Sequence, residues 1–261
     1  MLGKLLKYDL KRNMRWLWIL FVCTILFAGI TRGINELGKS IMFFKITAIL
    51  FDSLFYALIA NSLIQPFLRN FIDFSKSIYG DEGYLTNTLP VTKTQIINSK
   101  FLTAFTELII GFICVILSLL IKFVTPTMFS TLKLILSTVI IGEFSIYLIL
   151  SLIILLIIVE FLMFLSIILF SIIQGYKSNE KKILKSFIIT AINAFISISF
   201  LSIVMFVVLL INKVNLSTTK ILVSNSAFVS IITTGIIVYS FITILFYFLA
   251  KKQFNKGINI D

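Results

Sequence analysis

The chain has 261 residues, of which 59% are hydrophobic and only 13% charged, and its formal net charge is +12. Soluble domains are about 45–50% apolar, so this composition, with a mean hydropathy of +1.09, excludes an ordinary water-soluble domain and predicts an integral membrane protein. The chain has no His and only two Cys, Cys23 and Cys114, far apart in apolar runs, so we expect no His general base, no disulfide framework, no metal and no cofactor.

Six apolar segments are long enough to cross a bilayer. A hydrocarbon core of about 30 Å needs about 20 apolar residues of helix, and helices are required because lipid offers the backbone no hydrogen-bond partner. The predicted fold is therefore all-α, a single transmembrane domain over 1–261 with about six transmembrane helices. The predicted spans are 16–31, 41–64, 101–121, 144–173, 187–211 and 227–250.

The basic residues give the orientation of these spans. An even number of spans places both termini on one side, and cytoplasmic segments carry an excess of Lys and Arg. Sixteen Lys and Arg lie in the segments on the side of the termini, against six in the opposite segments. We therefore predict a multi-pass protein of the plasma membrane with both termini in the cytoplasm. This bias accounts for most of the net charge without a nucleic-acid partner.

The first fifteen residues predict an interfacial helix rather than a signal peptide. Leucines recur at helical spacing with Lys and Arg between them, which is typical of a helix that lies on the inner leaflet. No small-residue cleavage site follows the apolar run. Trp16 and Trp18 then mark the membrane boundary, as aromatic residues do at headgroup depth.

The segment 33–40, GINELGKS, matches the phosphate-binding pattern G-x-x-x-x-G-K-[ST]. A true phosphate loop follows a short buried strand and opens a helix, whereas the apolar run before Gly33 is too long for a strand. The predicted topology also places this segment outside the cell, and no apolar strand ends in an Asp that would hold Mg²⁺. We interpret the match as coincidental, a short turn between two spans, and expect that this chain does not hydrolyse ATP.

The longest polar segment, 65–100, lies on the cytoplasmic side between the second and third spans. Aromatic and aliphatic side chains recur at helical spacing up to residue 79, which predicts an amphipathic helix at the membrane surface. Gly80 and Gly83 interrupt this helix, and Thr92 is a candidate cap for a helix that leads into the third span. The segment is either an ordinary solvated loop or a docking surface for a cytoplasmic partner. In the second case we expect Tyr79 to be exposed, so that it can contact the partner.

Two stretches resemble the membrane-spanning subunits of type-2 ABC transporters, the exporter-like permeases. They are MLGKLLKYDLKR at the start of the chain and SIYGDEGYLTNTLPVTKTQIINSKFLTAF at 77–105. The second stretch is the more specific, because it contains four features in order: an aromatic-Gly-acid run, then Gly-Tyr-Leu, then Leu-Pro-Val, and then a Lys that opens the third span. Six spans with cytoplasmic termini also agree, whereas the chain from residue 134 onward matches only in hydropathy.

This resemblance implies a pump of two permease subunits, identical or homologous, and two separate ATP-binding subunits. The segment 72–89 would lie in a cleft on the ATPase and transmit its closure to the spans, so the permease has no catalytic residue of its own. The implied activity is export of a peptide, an antibiotic or another amphipathic substrate. The implied coupling residues are Ile72, Lys76, Ile78, Tyr79, Gly80, Asp81, Glu82, Gly83, Tyr84, Leu85 and Leu89.

Three acids, Asp52, Glu107 and Glu160, lie within predicted spans, where ionisable groups are costly and mark functional sites. Glu107 is about two turns from the inner end of its helix and faces the 65–100 segment or the N-terminal helix. Asp52 and Glu160 are deeper, and structural and transport roles stay open for both. Lys45 is near an outer end, where its stem reaches the surface. Small and polar residues on one face of the third span predict a helix–helix contact: Thr103, Glu107, Gly111, Cys114 and Ser118.

The apolar stretch 134–173 allows two interpretations. It contains about forty nearly unbroken apolar residues, interrupted at residues 142–143. Two spans would invert the rest of the chain and place the basic segment 177–185 outside, against the charge rule. We therefore prefer one span, preceded by an interfacial or re-entrant piece.

Other functions remain open at this level. An ion-coupled secondary transporter would use Asp52 and Glu160 as proton sites, although no repeat between the two halves supports it. A non-transporting membrane sensor or immunity subunit would only dock a partner. A membrane enzyme is disfavoured, since the chain has no His, no paired acids at catalytic spacing and no G-x-S-x-G motif.

Overall fold

In a computed structural model of the chain, the described residues contain six long helices, and each has a segment long and apolar enough to cross a membrane. The predicted all-α polytopic fold is therefore confirmed. The structure describes residues 2–39, 42–80, 83, 91–124, 128, 130–131, 140–141, 144–177, 181–212 and 225–256. The elements are α1 Leu2–Leu37, α2 Met42–Tyr79, α3 Lys93–Phe123, β1 Ile140–Ile141, β2 Phe144–Ser145, α4 Ile146–Gly175, α5 Lys182–Ile211 and α6 Asn225–Asn255.

Helix α1 differs from the prediction of a separate N-terminal helix. Residues 2–15 form its first turns, and the helix continues without a break to Leu37. No Gly or Pro lies between Gly3 and Gly29, so no residue in that stretch interrupts the backbone hydrogen bonds. One continuous face is buried, with residues three or four positions apart: Asp9, Asn13, Leu17, Phe21, Thr24, Ala28 and Thr31.

Helix α2 joins the predicted second span to the predicted amphipathic helix. It passes through Pro66, whose missing N–H leaves the carbonyl of Ser62 without its usual helical donor. Asn70 Nδ2 donates to the carbonyl oxygen of Pro66 at 2.7 Å, which adds a local bond in the same turn. The helix ends at Tyr79, immediately before Gly80, as the sequence predicts.

Helix α3 begins where the sequence predicts a cap. Thr92 Oγ1 accepts from the backbone N–H of Gln95 at 3.3 Å, and Gln95 Oε1 accepts from the N–H of Thr92 at 3.2 Å. This reciprocal capping box satisfies two backbone donors that the first turn leaves open. The predicted role of Thr92 is confirmed.

Replacing Thr92 with Ala is expected to lower the free energy of unfolding by about 1 kcal/mol, because the cap bond to Gln95 is lost. Thermal unfolding of the purified protein in lipid nanodiscs measures this loss. Thr47→Ala is the control, since the Thr47 hydroxyl bonds only to carbonyls within its own helix and caps nothing. Equal unfolding temperatures for the two variants would show that the cap does not stabilise α3.

The stretch 144–173 is one helix from Ile146 onward, which agrees with the preference for a single span. Before it, β1 and β2 pair antiparallel, with Ile140 opposite Ser145 and Ile141 opposite Phe144. The rest of the proposed interfacial or re-entrant piece, residues 134–139 and 142–143, lies outside the described residues.

The chain forms two compact units, Met1–Lys76 with Asn87–Thr131 and Ser77–Thr86 with Leu132–Asp261. In the first, α1 packs on α3 around the buried side chains Met14, Leu17, Phe21 and Cys114. In the second, α4 packs on α5 and α6, with a core made by Met163, Ile167, Val238, Tyr239 and Ile242. Both units consist of membrane-length helices, and the single transmembrane domain over 1–261 stays a prediction.

Candidate coupling site and buried charges

Four charged side chains meet between the last turns of α2, the first turns of α3 and the N-terminal part of α1. We call Asp9, Arg12, Asp73 and Lys100 the four-charge cluster. Lys100 Nζ lies 2.8 Å from Asp9 Oδ1 and 2.9 Å from Asp73 Oδ2. Arg12 Nη2 contacts the Asp73 carboxylate and lies 3.4 Å from Asp9 Oδ1. Two acids and two bases make the cluster neutral, which is the condition for keeping such charges away from water.

Three helices bring the four-charge cluster together. Asp9 and Arg12 are three residues apart on α1 and so share a face. Asp73 lies near the end of α2, and Lys100 lies near the start of α3. Asp73 and Lys100 therefore pair across the base of the intervening segment 74–99. The ion pairs therefore join the last turns of α2, the first turns of α3 and the N-terminal part of α1.

Neither Asp9 nor Asp73 was predicted to be a functional residue from the sequence. Asp9 is the only acid in the first 35 residues, and it falls among the leucines of the apolar face rather than among the exposed lysines. A carboxylate on the apolar face of a basic helix is costly unless it has a buried partner. That mismatch was the available signal, although it does not identify Lys100 as the partner.

Glu107 lies seven residues beyond Lys100 on α3, about two turns along the helix, and is fully buried. Asn70 Nδ2 of α2 donates to Glu107 Oε2 at 2.8 Å, and the side chain of Asn13 on α1 also approaches the carboxyl group. The expectation that Glu107 faces the 65–100 segment or the N-terminal helix agrees with this geometry. Glu107 belongs to the same three-helix interface as the four-charge cluster.

The predicted contact face of the third span is confirmed by its burial. Its five residues, Thr103, Glu107, Gly111, Cys114 and Ser118, are all buried. A Cβ added at Gly111 would lie 3.2 Å from the Ser62 carbonyl oxygen and 3.3 Å from the Phe21 ring. Nearby, the hydroxyls of Thr24 and Ser62 share a hydrogen bond of 2.9 Å. Small and hydroxyl-bearing side chains thus allow close helix approach.

Asp52 has a partner that the sequence did not identify. Lys122, near the end of α3, places its Nζ 2.8 Å from Asp52 Oδ1, and Asn35 Nδ2 donates to the same oxygen at 3.0 Å. The ammonium group also lies 4.4 Å from the ring centroids of both Phe55 and Tyr56, within range of cation–π attraction. Asp52 is therefore part of a neutral ion pair rather than an isolated carboxylate.

Lys45 is exposed and borders a cleft beside that ion pair. The cleft has a volume of about 570 Å³ and lies between the end of α1 and the start of α2. It brings Lys45 and Asp52, seven residues apart on α2, into one open depression. Its lining residues are Asn35, Gly38, Lys39, Met42, Lys45, Ala48, Ile49 and Asp52.

Glu160 lies on α4 in the second unit. It is partly buried and lies beside Tyr239 of α6. Its carboxylate forms no hydrogen bond or ion pair with any other residue that the structure describes. The structure thus separates the two deep acids by environment, since Asp52 is ion-paired and Glu160 is not. A transport role for Glu160 stays a prediction.

The structure describes six of the eleven predicted coupling residues. Ile72 and Lys76 are exposed on α2, whereas Ile78 is buried. Tyr79 is not exposed as expected but partly buried, because its ring stacks on Tyr176 with centroids 4.3 Å apart and planes 18° apart. The N–H of Gly83 donates to the carbonyl of Gly80 at 2.7 Å. Outside the described residues lie Asp81, Glu82, Tyr84, Leu85 and Leu89.

The segment GINELGKS differs from the predicted turn. Residues 33–37 are the last residues of α1, and the N–H of Gly38 donates to the carbonyl of Ile34 at 2.8 Å. Lys39 Nζ lies 2.8 Å from Glu36 Oε2 in an exposed ion pair. The segment therefore closes a long helix, whereas a phosphate loop opens one. Ser40 lies outside the described residues.

Among the described residues, no three or more His, Cys, Asp or Glu side chains group together as metal ligands. Comparisons of the chain with protein-family models, curated proteins and solved structures found no match. The resemblance to type-2 ABC permeases therefore rests on the two stretches quoted above and on the number of spans.

Proposed function

We propose that the chain is the permease subunit of an ATP-driven ABC transporter. With a second permease copy or homologue it forms a path for export of a peptide, an antibiotic or another amphipathic substrate. A separate ATP-binding subunit hydrolyses ATP and engages the segment 65–100. The six membrane-length helices and the resemblance of residues 77–105 support this proposal.

The observation that carries the proposal is the ion pairing at the base of the segment. Lys100 bonds to Asp73 across the segment and to Asp9 on α1, and both bonds are charge-assisted and shielded from water. Such contacts resist separation, so a push on the segment moves three helix ends together. A permease that has no nucleotide site of its own needs this kind of mechanical connection to its ATPase.

A second contact supports the same role within the other unit. Tyr79, in the predicted coupling segment, stacks on Tyr176 directly after α4. Displacement of Tyr79 therefore acts on the connection between α4 and α5.

The test is purification from the native membrane with a C-terminal tag. We expect a soluble subunit with a phosphate loop to co-purify and to hydrolyse ATP. Replacing 79–85 with Gly and Ser should abolish its retention, whereas the same replacement at 213–219, predicted on the opposite side, should not. Absence of an ATPase, together with proton-linked flux by the purified chain in vesicles, would overturn the proposal.

Replacing Lys39 with Ala is expected to leave ATP hydrolysis by the purified complex unchanged. Its ammonium pairs with Glu36 at an exposed helix end and has no phosphate to bind in the proposed mechanism. The control is the equivalent Lys→Ala substitution in the phosphate loop of the co-purified subunit, which should abolish hydrolysis. Loss of activity in the Lys39 variant would place the nucleotide site on this chain.

A further inference from the structure

One face of the N-terminal part of α1 carries four exposed cations. Lys4, Lys7, Lys11 and Arg15 recur at intervals of three or four residues, so they lie in one stripe along the helix. Asp9 is buried on the other face of the same turns. We call these four residues the basic face. Its exposure and charge are independent of the proposed function.

The basic face has no counter-charge within the described part of the chain. None of its four residues forms an ion pair with a described carboxylate. The nearby acids Asp9 and Asp73 are already paired with Arg12 and Lys100. The cations of this region therefore divide into a buried, neutralised set and an exposed set that has no counter-charge among the described residues.

The same face continues along α1 into apolar side chains without a protein cover. Trp18, Ile19, Val22 and Leu26 follow Arg15 at helical spacing and are 55%, 61%, 45% and 62% exposed. In a helix of membrane length such a stripe faces acyl chains. The basic face begins one turn beyond this stripe on an unbroken helix, which is the depth of the lipid headgroups.

A fifth cation reaches the same level from α2. The guanidinium of Arg69 lies 5.6 Å from the centroid of the Trp16 ring, next to Arg15 in sequence. Tryptophan at this position is typical of the boundary between acyl chains and headgroups. Arg69 also forms no ion pair with a described carboxylate, so it adds a positive charge at the boundary.

We propose that the basic face of α1, together with Arg69, binds the phosphate-bearing headgroups of anionic phospholipids in the leaflet that this end of α1 crosses. Each Lys or Arg near an anionic membrane surface is attracted to the negatively charged headgroups, and zwitterionic lipids give no such attraction. An acidic protein or a nucleic acid would need only the positive charges for binding and would make no use of the apolar stripe beside them. The direct continuation into a lipid-facing stripe favours lipid.

The two tryptophans of the chain, Trp16 and Trp18, provide the test because both lie next to the proposed site. Brominated phosphatidylglycerol and brominated phosphatidylcholine quench tryptophan fluorescence when they lie against it. In vesicles with equal fractions of either brominated lipid, we expect phosphatidylglycerol to bind about fivefold more strongly, the effect of one surface cation. About 1 M salt, which shortens the Debye length to about 3 Å, should remove this preference.

Three variants decide between the outcomes. Replacing the four basic-face residues and Arg69 with Gln should bring the binding ratio to about one, whereas replacing the three lysines of the basic face with Arg should keep it near fivefold. The matched control, Lys177, Lys185, Lys251, Lys252 and Lys256→Gln, removes five charges in the other unit and should keep the preference. Equal quenching by both lipids in the wild type, or a preference that survives high salt, would overturn the proposal.

Discussion

Replacing Lys100 with Met is expected to lower the free energy of unfolding by about 3–5 kcal/mol. The Lys100 side chain is only 7% exposed, and its Nζ lies within 2.9 Å of carboxylate oxygens of both Asp9 and Asp73. The substitution leaves these two buried acids with Arg12 as the one remaining cation of the four-charge cluster. Removing one partner of a buried ion pair leaves an uncompensated buried charge, which destabilises the fold far more than replacing both partners does. Denaturant or thermal unfolding in nanodiscs measures the loss.

Two further variants separate burial from the mere loss of a lysine. Lys39→Ala removes an exposed ion pair, with side chains 70% and 61% exposed, and should cause no measurable change because solvent screens it. The double variant Lys100→Met with Asp73→Asn leaves Asp9 paired with Arg12, so it should be more stable than Lys100→Met alone. Equal stability of the Lys100 and Lys39 variants would show that the four-charge cluster does not stabilise the helix ends.

Replacing Gly175 with Ala is expected to destabilise the second unit by about 1–3 kcal/mol. Gly175 is the last residue of α4, and an added Cβ would lie 2.6 Å from both the backbone N and the Cα of Ser186 on α5. The added Cβ would also clash with the Ser186 hydroxyl, but rotating that side chain is not enough because the Ser186 backbone is an obstacle too, so α5 itself has to move. A lowered unfolding temperature in nanodiscs would record this.

Gly29→Ala is the matched control for this substitution. Gly29 lies inside α1, and an added Cβ there would meet nothing within 4 Å. Ala has a higher helix propensity than Gly, so this variant should stabilise by about 0.5–1 kcal/mol. If both variants shift the unfolding temperature in the same direction, the close approach of α4 and α5 is not what requires glycine at residue 175.

The ends of the helices illustrate why sequence patterns located the spans but not their lengths. Hydropathy marks where apolar residues stop, near 31 in the first span and 64 in the second. The backbone hydrogen bonds continue through polar residues to Leu37 and Tyr79, because the two residues in those stretches that weaken a helix, Gly33 in α1 and Pro66 in α2, are both tolerated. The cap at Thr92 was predictable because it depends on residues only three apart.

By itself, the sequence determined the all-α polytopic fold, the six helices that are long enough to cross a membrane and the buried contact face of the third of them. These follow from interactions with lipid and from contacts within a few turns of one helix. Only the tertiary structure decided the partners of the charges. Lys100 is 91 residues from Asp9 in the sequence. Lys122 on α3 pairs with Asp52 on α2. Such pairs depend on how helices rotate and slide against one another, and packing over the whole interface sets that register.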